Sequence, residues 1–335
     1  MYDIITIGSA AKDMFLRGID FVNCKSGDFK TGKGICLGSA SKNNVSQADL
    51  LNGGSAVNTA ITFSRQGLKT GAIFRVGDDL FGEDIKNFLK KERVGEKLCQ
   101  IDLPSGRQDK KNSTAFSVVF LDKNGERTIL DYKGVGKNIS EKEISWSKIK
   151  TKWLYVGTLG GNKQLLEKIF SFAKANKIKL AGNPSLADLK VLKASPKLLK
   201  NYDVFILNQE EASYLTGIGY GKEKEVFKKL DKLVDGIVVM TKGVKGVSIS
   251  DGKTLWQAKA FPQKAFDRTG AGDAFGSGFV AGLAQAKNIE YCIRLAMANA
   301  TGVVEKLGGN AGALTKNEFI KSKRFKKINL TKITL

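Results

Sequence analysis

The segment Asp267–Leu283, DRTGAGDAFGSGFVAGL, sets a carboxylate among glycines at the start of a helical pattern. Gly270, Ala271 and Gly272 lead into it, and small residues recur at Gly276, Gly278, Ala281 and Gly282. Glycine at a helix start lets the backbone come close to an anion, which the free N–H groups and the positive end of the helix dipole then hold. Asp273 falls in the first turn, where the dipole favours its ionised form. Phosphoryl transfer to an alcohol needs both groups: the carboxylate accepts the hydroxyl proton, and the cradle stabilises charge on the transferred group. Read alone, the same residues also fit a capped helix packed closely on a sheet.

Two further segments favour the chemical reading. Leu51–Gly67, LNGGSAVNTAITFSRQG, puts Gly53 and Gly54 before a helical pattern with Asn58 in its first turn. An amide there can bond sugar hydroxyls, and Gly54 lets a ligand lie against the backbone. Asn208–Glu211, NQEE, directly follows the apolar run Asp203–Leu207. That places an amide and a carboxylate where hydrated Mg²⁺ can be held, or where a helix cap is followed by first-turn acids.

Composition removes competing chemistries. The 335 residues contain no histidine, so Ser-His-Asp and Cys-His nucleophiles and His-containing metal sites are excluded. Any general base is a carboxylate, Lys, Tyr or Cys. The cysteines, Cys24, Cys36, Cys99 and Cys292, contain no CxxC pair and make no disulfide framework, which points to a reducing, cytoplasmic setting. The N-terminal MYDIITIG reads as a buried strand rather than a signal peptide, and no apolar run is long enough to span a membrane. Net charge is +22, but only 9 of the 55 basic residues are Arg. Nucleic-acid readers favour Arg for its bidentate fork, so the scattered lysines read as solvated surface. The dense stretch Lys316–Leu335 is the one candidate basic patch.

The positioning elements follow from the patterning. Strands are predicted at Tyr2–Gly8, Thr70–Val76, Trp153–Val156, Ile178–Ala181, Asp203–Leu207, Gly236–Thr241 and Val247–Ser250. Helices are predicted at Ser55–Gln66, Phe81–Arg93, Lys163–Asn176, Glu223–Val234, Ala271–Ala286 and Ile289–Lys306. This alternation predicts a mostly parallel sheet covered on both faces. Two stretches break it, about 15–51 and 97–133. The second holds a predicted hairpin, Ala115–Leu121 and Arg127–Tyr132 around the turn Lys123–Glu126. Together they read as a small β-rich lid at the C-terminal edge of the sheet, where ligands bind in open α/β folds.

GGSAVN, NQEE, TKGVKG and DRTGAGDAFGSG, in this order and spacing, resemble the PfkB/ribokinase family of carbohydrate and nucleoside kinases, from the first strand to about Asn310. The resemblance implies one kinase domain over 1–335: a ribokinase-like three-layer α/β/α core with a β-sheet lid. It implies Asp273 as catalytic base and the Gly270, Ala271, Gly272 and Asp273 backbone as anion hole. Asp13, Gly54 and Asn58 match the acceptor site; Asn208 and Glu211 match the element that organises Mg²⁺ and the phosphates. Thr241 and Gly243 match the nucleotide phosphate and ribose loop, Asn299 the adenine pocket, and Asp267 and Thr269 a loop that in many members holds a monovalent cation such as K⁺.

ATP and Mg²⁺ are thus the expected partners of a sugar or nucleoside acceptor, and a homodimer through the lid is the family's pattern. The chain departs from that pattern in two places. GSAAKD puts Ala11 where ribose-specific members have Asn, and Arg268 stands where a small residue is usual. No Walker A pattern occurs. A nucleoside acceptor would want an aromatic slot, for which Phe15, Phe116 and Phe120 are candidates; a sugar phosphate would want Arg107 or Lys133. A non-catalytic sugar-binding protein and a nucleic-acid binder are the readings from other classes.

Overall fold

Apolar residues on both sides of a strand need cover on both sides of the sheet. In β1 (Tyr2–Ile7), Ile4 and Ile5 point to opposite faces and both are fully buried. In the computed structural model the described residues are 1–19, 21–29, 32–95, 113–121, 127–262, 265–323 and 328–334. Cys99, Arg107 and the predicted turn Lys123–Glu126 lie outside them.

After β1 come β2 (Ala11–Arg17), β3 (Val22–Lys25), β4 (Lys33–Cys36), β5 (Gln47–Gly53), α1 (Ser55–Arg65), β6 (Thr70–Ile73) and α2 (Leu80–Lys91). Then follow β7 (Ala115–Leu121), β8 (Arg127–Tyr132), β9 (Thr151–Val156), α3 (Lys163–Ala175), β10 (Lys179–Gly182) and α4 (Leu186–Ala194). The rest is β11 (Val204–Asn208), α5 (Gln209–Thr216), α6 (Glu223–Leu233), β12 (Ile237–Thr241), β13 (Val247–Ser250), β14 (Thr254–Ala258), α7 (Ala271–Ala284), α8 (Ile289–Val304), α9 (Lys316–Lys321) and β15 (Leu330–Thr334).

The large sheet has nine strands among the described residues, in the order β15-β14-β13-β12-β11-β10-β9-β1-β6. From β6 to β12 it is parallel, and β13 to β15 add on antiparallel. On one face Leu154, Leu207 and Met240 pack with Leu165 of α3, Leu192 of α4, Leu215 of α5 and Phe227 of α6. On the other, Trp153, Tyr155 and Ile206 pack with Phe63 of α1, Phe279 of α7 and Leu295 of α8. This is the three-layer core.

The small sheet is β5-β2-β7-β8, with β3-β4 as a separate ribbon. It begins earlier than expected: β2 starts at Ala11 and β5 ends at Gly53. Asp13 therefore rides on the small sheet, not at the end of the first core strand, because the run AKDMFLR pairs with β5 on one side and β7 on the other. The basic C-terminal stretch is likewise structural. Leu330–Thr334 pairs with β14 at the sheet edge, and Lys332 bonds Glu290. α4, α5, α9, β14 and β15 were not expected from the patterning; α5 is only eight residues long and shows little amphipathic period.

Candidate active site

Parallel strands all end at one edge of the sheet, and the residues that follow them meet there. β11 ends in Asn208 and β12 in Thr241, which are register partners and so sit side by side. Both line a cavity of about 420 Å³, with Glu211, Gly243, Arg268, Ala271 and Gly272. That volume suits a nucleotide-sized ligand. Its wall on α8 is mostly apolar: Met297, Ala300 and Val304 fall on one helical face, with Thr301 beside them.

Asn299 is not on that wall. It is fully buried; its Nδ2 donates to the Thr62 hydroxyl and the Ala274 carbonyl, and its Oδ1 accepts from Leu314 N–H. With these bonds made, it braces α1, α7 and the chain after α8. The adenine-pocket role expected at Asn299 is thus at odds with its packing; its neighbours Ala300 and Thr301 line the cavity and Asn299 does not.

Gly270 is the N-cap of α7, in the left-handed region at φ 73°, and no side chain caps the helix. The Ala271 N–H donates to the Arg268 carbonyl at 3.4 Å, and the next N–H groups of α7, on Gly272 and Asp273, face no side-chain cap beside the cavity. A Cβ on Gly270 would come within 2.5 Å of the Gly309 backbone, so glycine is required by both conformation and space. Asp273 is not the cap. Its Oδ2 accepts from the Asn58 amide at 2.9 Å. The residue is half-buried beside the cavity, and the dense protein around the carboxyl raises its pKa from 3.8 to about 6; the Asn58 hydrogen bond pulls the other way.

Asn58 is buried in α1. Its Oδ1 accepts from the Asn310 amide at 2.9 Å, and the same Asn310 Nδ2 donates to the Asn52 carbonyl at 2.6 Å. Asn310 thereby fixes which end of the Asn58 amide faces Asp273. Patterning could not have found it: Asn310 and Asn58 lie 252 residues apart. Asn183, at the end of β10, also lines the cavity and was missed, although AGNP after a strand carries the same signal as NQEE.

Gly54 is the N-cap of α1 at φ 96°. The close approach seen in the structure is to the protein's own backbone. A Cβ there would meet the Ser9 carbonyl at 2.5 Å and Ala10 Cα at 2.7 Å, so Gly54 makes room for the chain's own link between β1 and β2.

Asp13 is register partner to Leu51 and Ser117, and Ser117 to Asp131, so these residues share the face of the small sheet turned to the site. The Ser117 hydroxyl donates to Asp13 Oδ1, and burial pushes the Asp13 carboxyl above its usual range.

Asn208 and Glu211 form a reciprocal cap on α5: Glu211 N–H donates to Asn208 Oδ1, and Asn208 N–H donates to Glu211 Oε2. The helix-cap reading of NQEE is thus met, and Glu211 also lines the cavity. Burial raises the Glu211 pKa, with a smaller push from Glu210. Asp267 is buried; its Oδ1 accepts from the Thr269 N–H and hydroxyl and from Arg127 of β8, and its Oδ2 accepts from Gly308 N–H.

The family model for pfkB family carbohydrate kinases matches residues 28–316. A ribokinase of Haemophilus influenzae is 29% identical over 79% of this chain and 85% of its own length. A cytidine kinase of Thermococcus kodakarensis is 25% identical over 76% and 88%. Among solved structures, Arabidopsis thaliana ribokinase complexed with ribose and ATP superposes with a TM-score of 0.73 at 20% identity, over 96% of this chain and 98% of that one. A glycine turn opening α7 beside a partly desolvated carboxylate, in a chain matched over most of its length, leads to one conclusion: the chain belongs to the pfkB family of carbohydrate kinases, phosphotransferases acting on an alcohol group.

Proposed function

We propose that the chain transfers the γ-phosphate of ATP to a primary hydroxyl of a sugar, with Asp273 as general base. One observation carries this: the Asp273 carboxyl stands in the first turn of α7, beside the free N–H groups, with its pKa lifted to about 6. A base of that pKa is ionised at neutral pH and still close enough to it to take a proton effectively.

Asp13 and Asn58 hold acceptor hydroxyls against Asp273, and the small sheet closes over them as a lid that excludes water. Asp273 takes the hydroxyl proton as the oxygen attacks in line. The N–H groups of Gly272 and Asp273 receive the charge on the transferred phosphoryl, joined by that of Ala271 when it leaves the Arg268 carbonyl. Glu211 Oε1 is the carboxylate oxygen left outside the α5 cap, and it suits Mg²⁺, which keeps most of its waters. Glu211 and Asn208 would hold the ion, and it would neutralise phosphate charge.

The aromatic residues argue against a nucleoside slot. Phe15 is fully buried, Phe116 packs on Phe81 and Tyr132, and Phe120 packs on Phe21. Lys133 is paired with Asp131, which leaves it poorly placed for an acceptor phosphate. The deciding experiment is ADP release from Mg-ATP across sugars, sugar phosphates and nucleosides. Release stimulated by sugars bears the reading out; release stimulated by nucleosides alone overturns the sugar assignment.

The rate should follow Asp273. With the acceptor found, kcat/KM rises as pH increases through about 6 and is level above it, because only the ionised carboxylate accepts a proton. Asn310→Ala frees the Asn58 amide to turn away. It should lower kcat/KM about fivefold to tenfold, the worth of one oriented hydrogen bond. It should also move the acidic limb to higher pH, since the Asn58 bond holds the Asp273 pKa down. An unmoved limb removes Asn310 from this role.

The outer face of the small sheet carries the row Leu50–Met14–Val118–Leu130, with Leu50 51% and Leu130 58% exposed. Such a row suits pairing with a second copy, and light scattering should return twice the chain mass of 36.4 kDa. A monomer at micromolar concentration refutes it.

A further inference from the structure

The loop Asp267–Thr269 is where the family resemblance leads one to expect a monovalent cation, and the groups there do not fit one. An ionised carboxylate offers about four acceptor positions. Asp267 has four donors on it: the Thr269 N–H at 2.9 Å, the Thr269 hydroxyl at 2.7 Å, Arg127 Nη1 at 3.4 Å and the Gly308 N–H at 3.0 Å. The Thr269 hydroxyl, having donated to Asp267, accepts from Arg127 Nη1 at 2.6 Å. Oδ1 is thus fully taken by three donors, Oδ2 holds the fourth, the Thr269 hydroxyl is engaged as both donor and acceptor, and the positive charge beside them is already present as a guanidinium.

That charge comes from the small sheet. Arg127 is the first residue of β8 and sits opposite Leu121, which sits opposite Arg17. Arg17 and Asp13 are four residues apart on one strand, so Arg127 projects from the same face as Asp13. Thr269 immediately precedes Gly270, the residue that opens the anion cradle.

We propose that Arg127 replaces the monovalent cation: a guanidinium carried on the lid neutralises Asp267 and holds the Asp267–Gly270 turn in place, making the chain independent of potassium. Arg127 is a positioning residue, acting on the cradle through Asp267 and Thr269. The cradle is then fully set only when the lid is down, whereas a diffusible ion would set it irrespective of lid position. The proposal rests on the kinase reading for its rate consequences, but not for its binding consequences.

The test compares the wild type with Arg127→Gln and Arg127→Lys, in KCl and in choline chloride at equal ionic strength. Two quantities are read: acceptor-dependent ADP release from Mg-ATP, and the melting temperature of the ligand-free protein. The wild type should give the same rate and the same melting temperature in both salts. Arg127→Gln should lose about tenfold in kcat/KM in choline, recover part of it saturably with KCl, and acquire a potassium-specific rise in melting temperature. Arg127→Lys should keep much of the rate and remain indifferent to potassium. Saturable potassium activation or stabilisation of the wild type overturns the proposal, as does an Arg127→Gln variant with unchanged kcat/KM in choline. If no acceptor turns over, the kinase reading fails, and the ligand-free melting temperature of the wild type still decides the cation question.

Discussion

Asp273→Asn should reduce kcat by at least about 10²-fold while the protein becomes harder to melt. The rate loss is the low end for removal of a general base. The stability gain follows from the same burial. The folded-state pKa of Asp273 lies above its ordinary value, so the folded protein prefers the protonated carboxyl. Its ionisation costs stability progressively as pH rises from about 4 through about 6, and the full cost is present above that. Allowing for the partial exposure of the residue, this is on the order of 2 kcal/mol. An amide carries no charge to bury, and its oxygen can still accept from Asn58. The variant should therefore melt a few degrees higher at pH 8 and lose that advantage toward pH 4. Calorimetry at the two pH values, with turnover measured on the same preparation, checks both halves. Near-normal turnover in the variant would falsify the mechanism.

Gly270→Ala should damage both turnover and stability. Alanine at φ 73° costs roughly 1–2 kcal/mol for the left-handed conformation alone. The added carbon would also lie 2.5 Å from the Gly309 backbone, and backbone cannot swing aside as a flexible side chain can. Either the start of α7 or the segment from Gly308 to Asn310 must shift. The first moves the N–H cradle; the second pulls Asn310 from Asn58. Turnover should fall about 10²-fold, comparable to losing one anion-hole donor, and the melting temperature should drop by several degrees. Gly272→Ala is the control, since its new carbon would find nothing closer than Asn183 Oδ1 at 3.8 Å. It should melt normally. If both variants melt alike, the packing of Gly270 on Gly309 is not the constraint described.

What could be read before folding, and what could not, has a physical division. Asp273 and the glycines before it were legible because a helix start, its free N–H groups and its first-turn residue are neighbours in sequence. The parallel core was legible because strands buried on both faces show as short β-branched runs. Asn299 misled because a polar residue on an apolar helix has two readings, and only packing tells which face meets α1 and which meets the nucleotide cavity. Asn310 and Arg127 carry no local signature at all. Their partners lie 252 and 140 residues away, so chain topology alone brings them together. Gly54 was legible as a close-approach glycine, but its approach to the Ser9–Ala10 backbone was not, because sequence shows that space is needed without showing what fills it.

The division of labour between the two sheets has an evolutionary consequence. The base and its cradle belong to α7, while Asp13, Ser117, Ile129 and Asp131 face the acceptor from the small sheet. β8 stands at the edge of that sheet and is exposed along its length, so substitutions at Ile129 or Asp131 disturb little packing. A descendant of this chain can thus drift toward a different alcohol by changing edge positions one at a time, while its phosphoryl-transfer machinery passes on untouched.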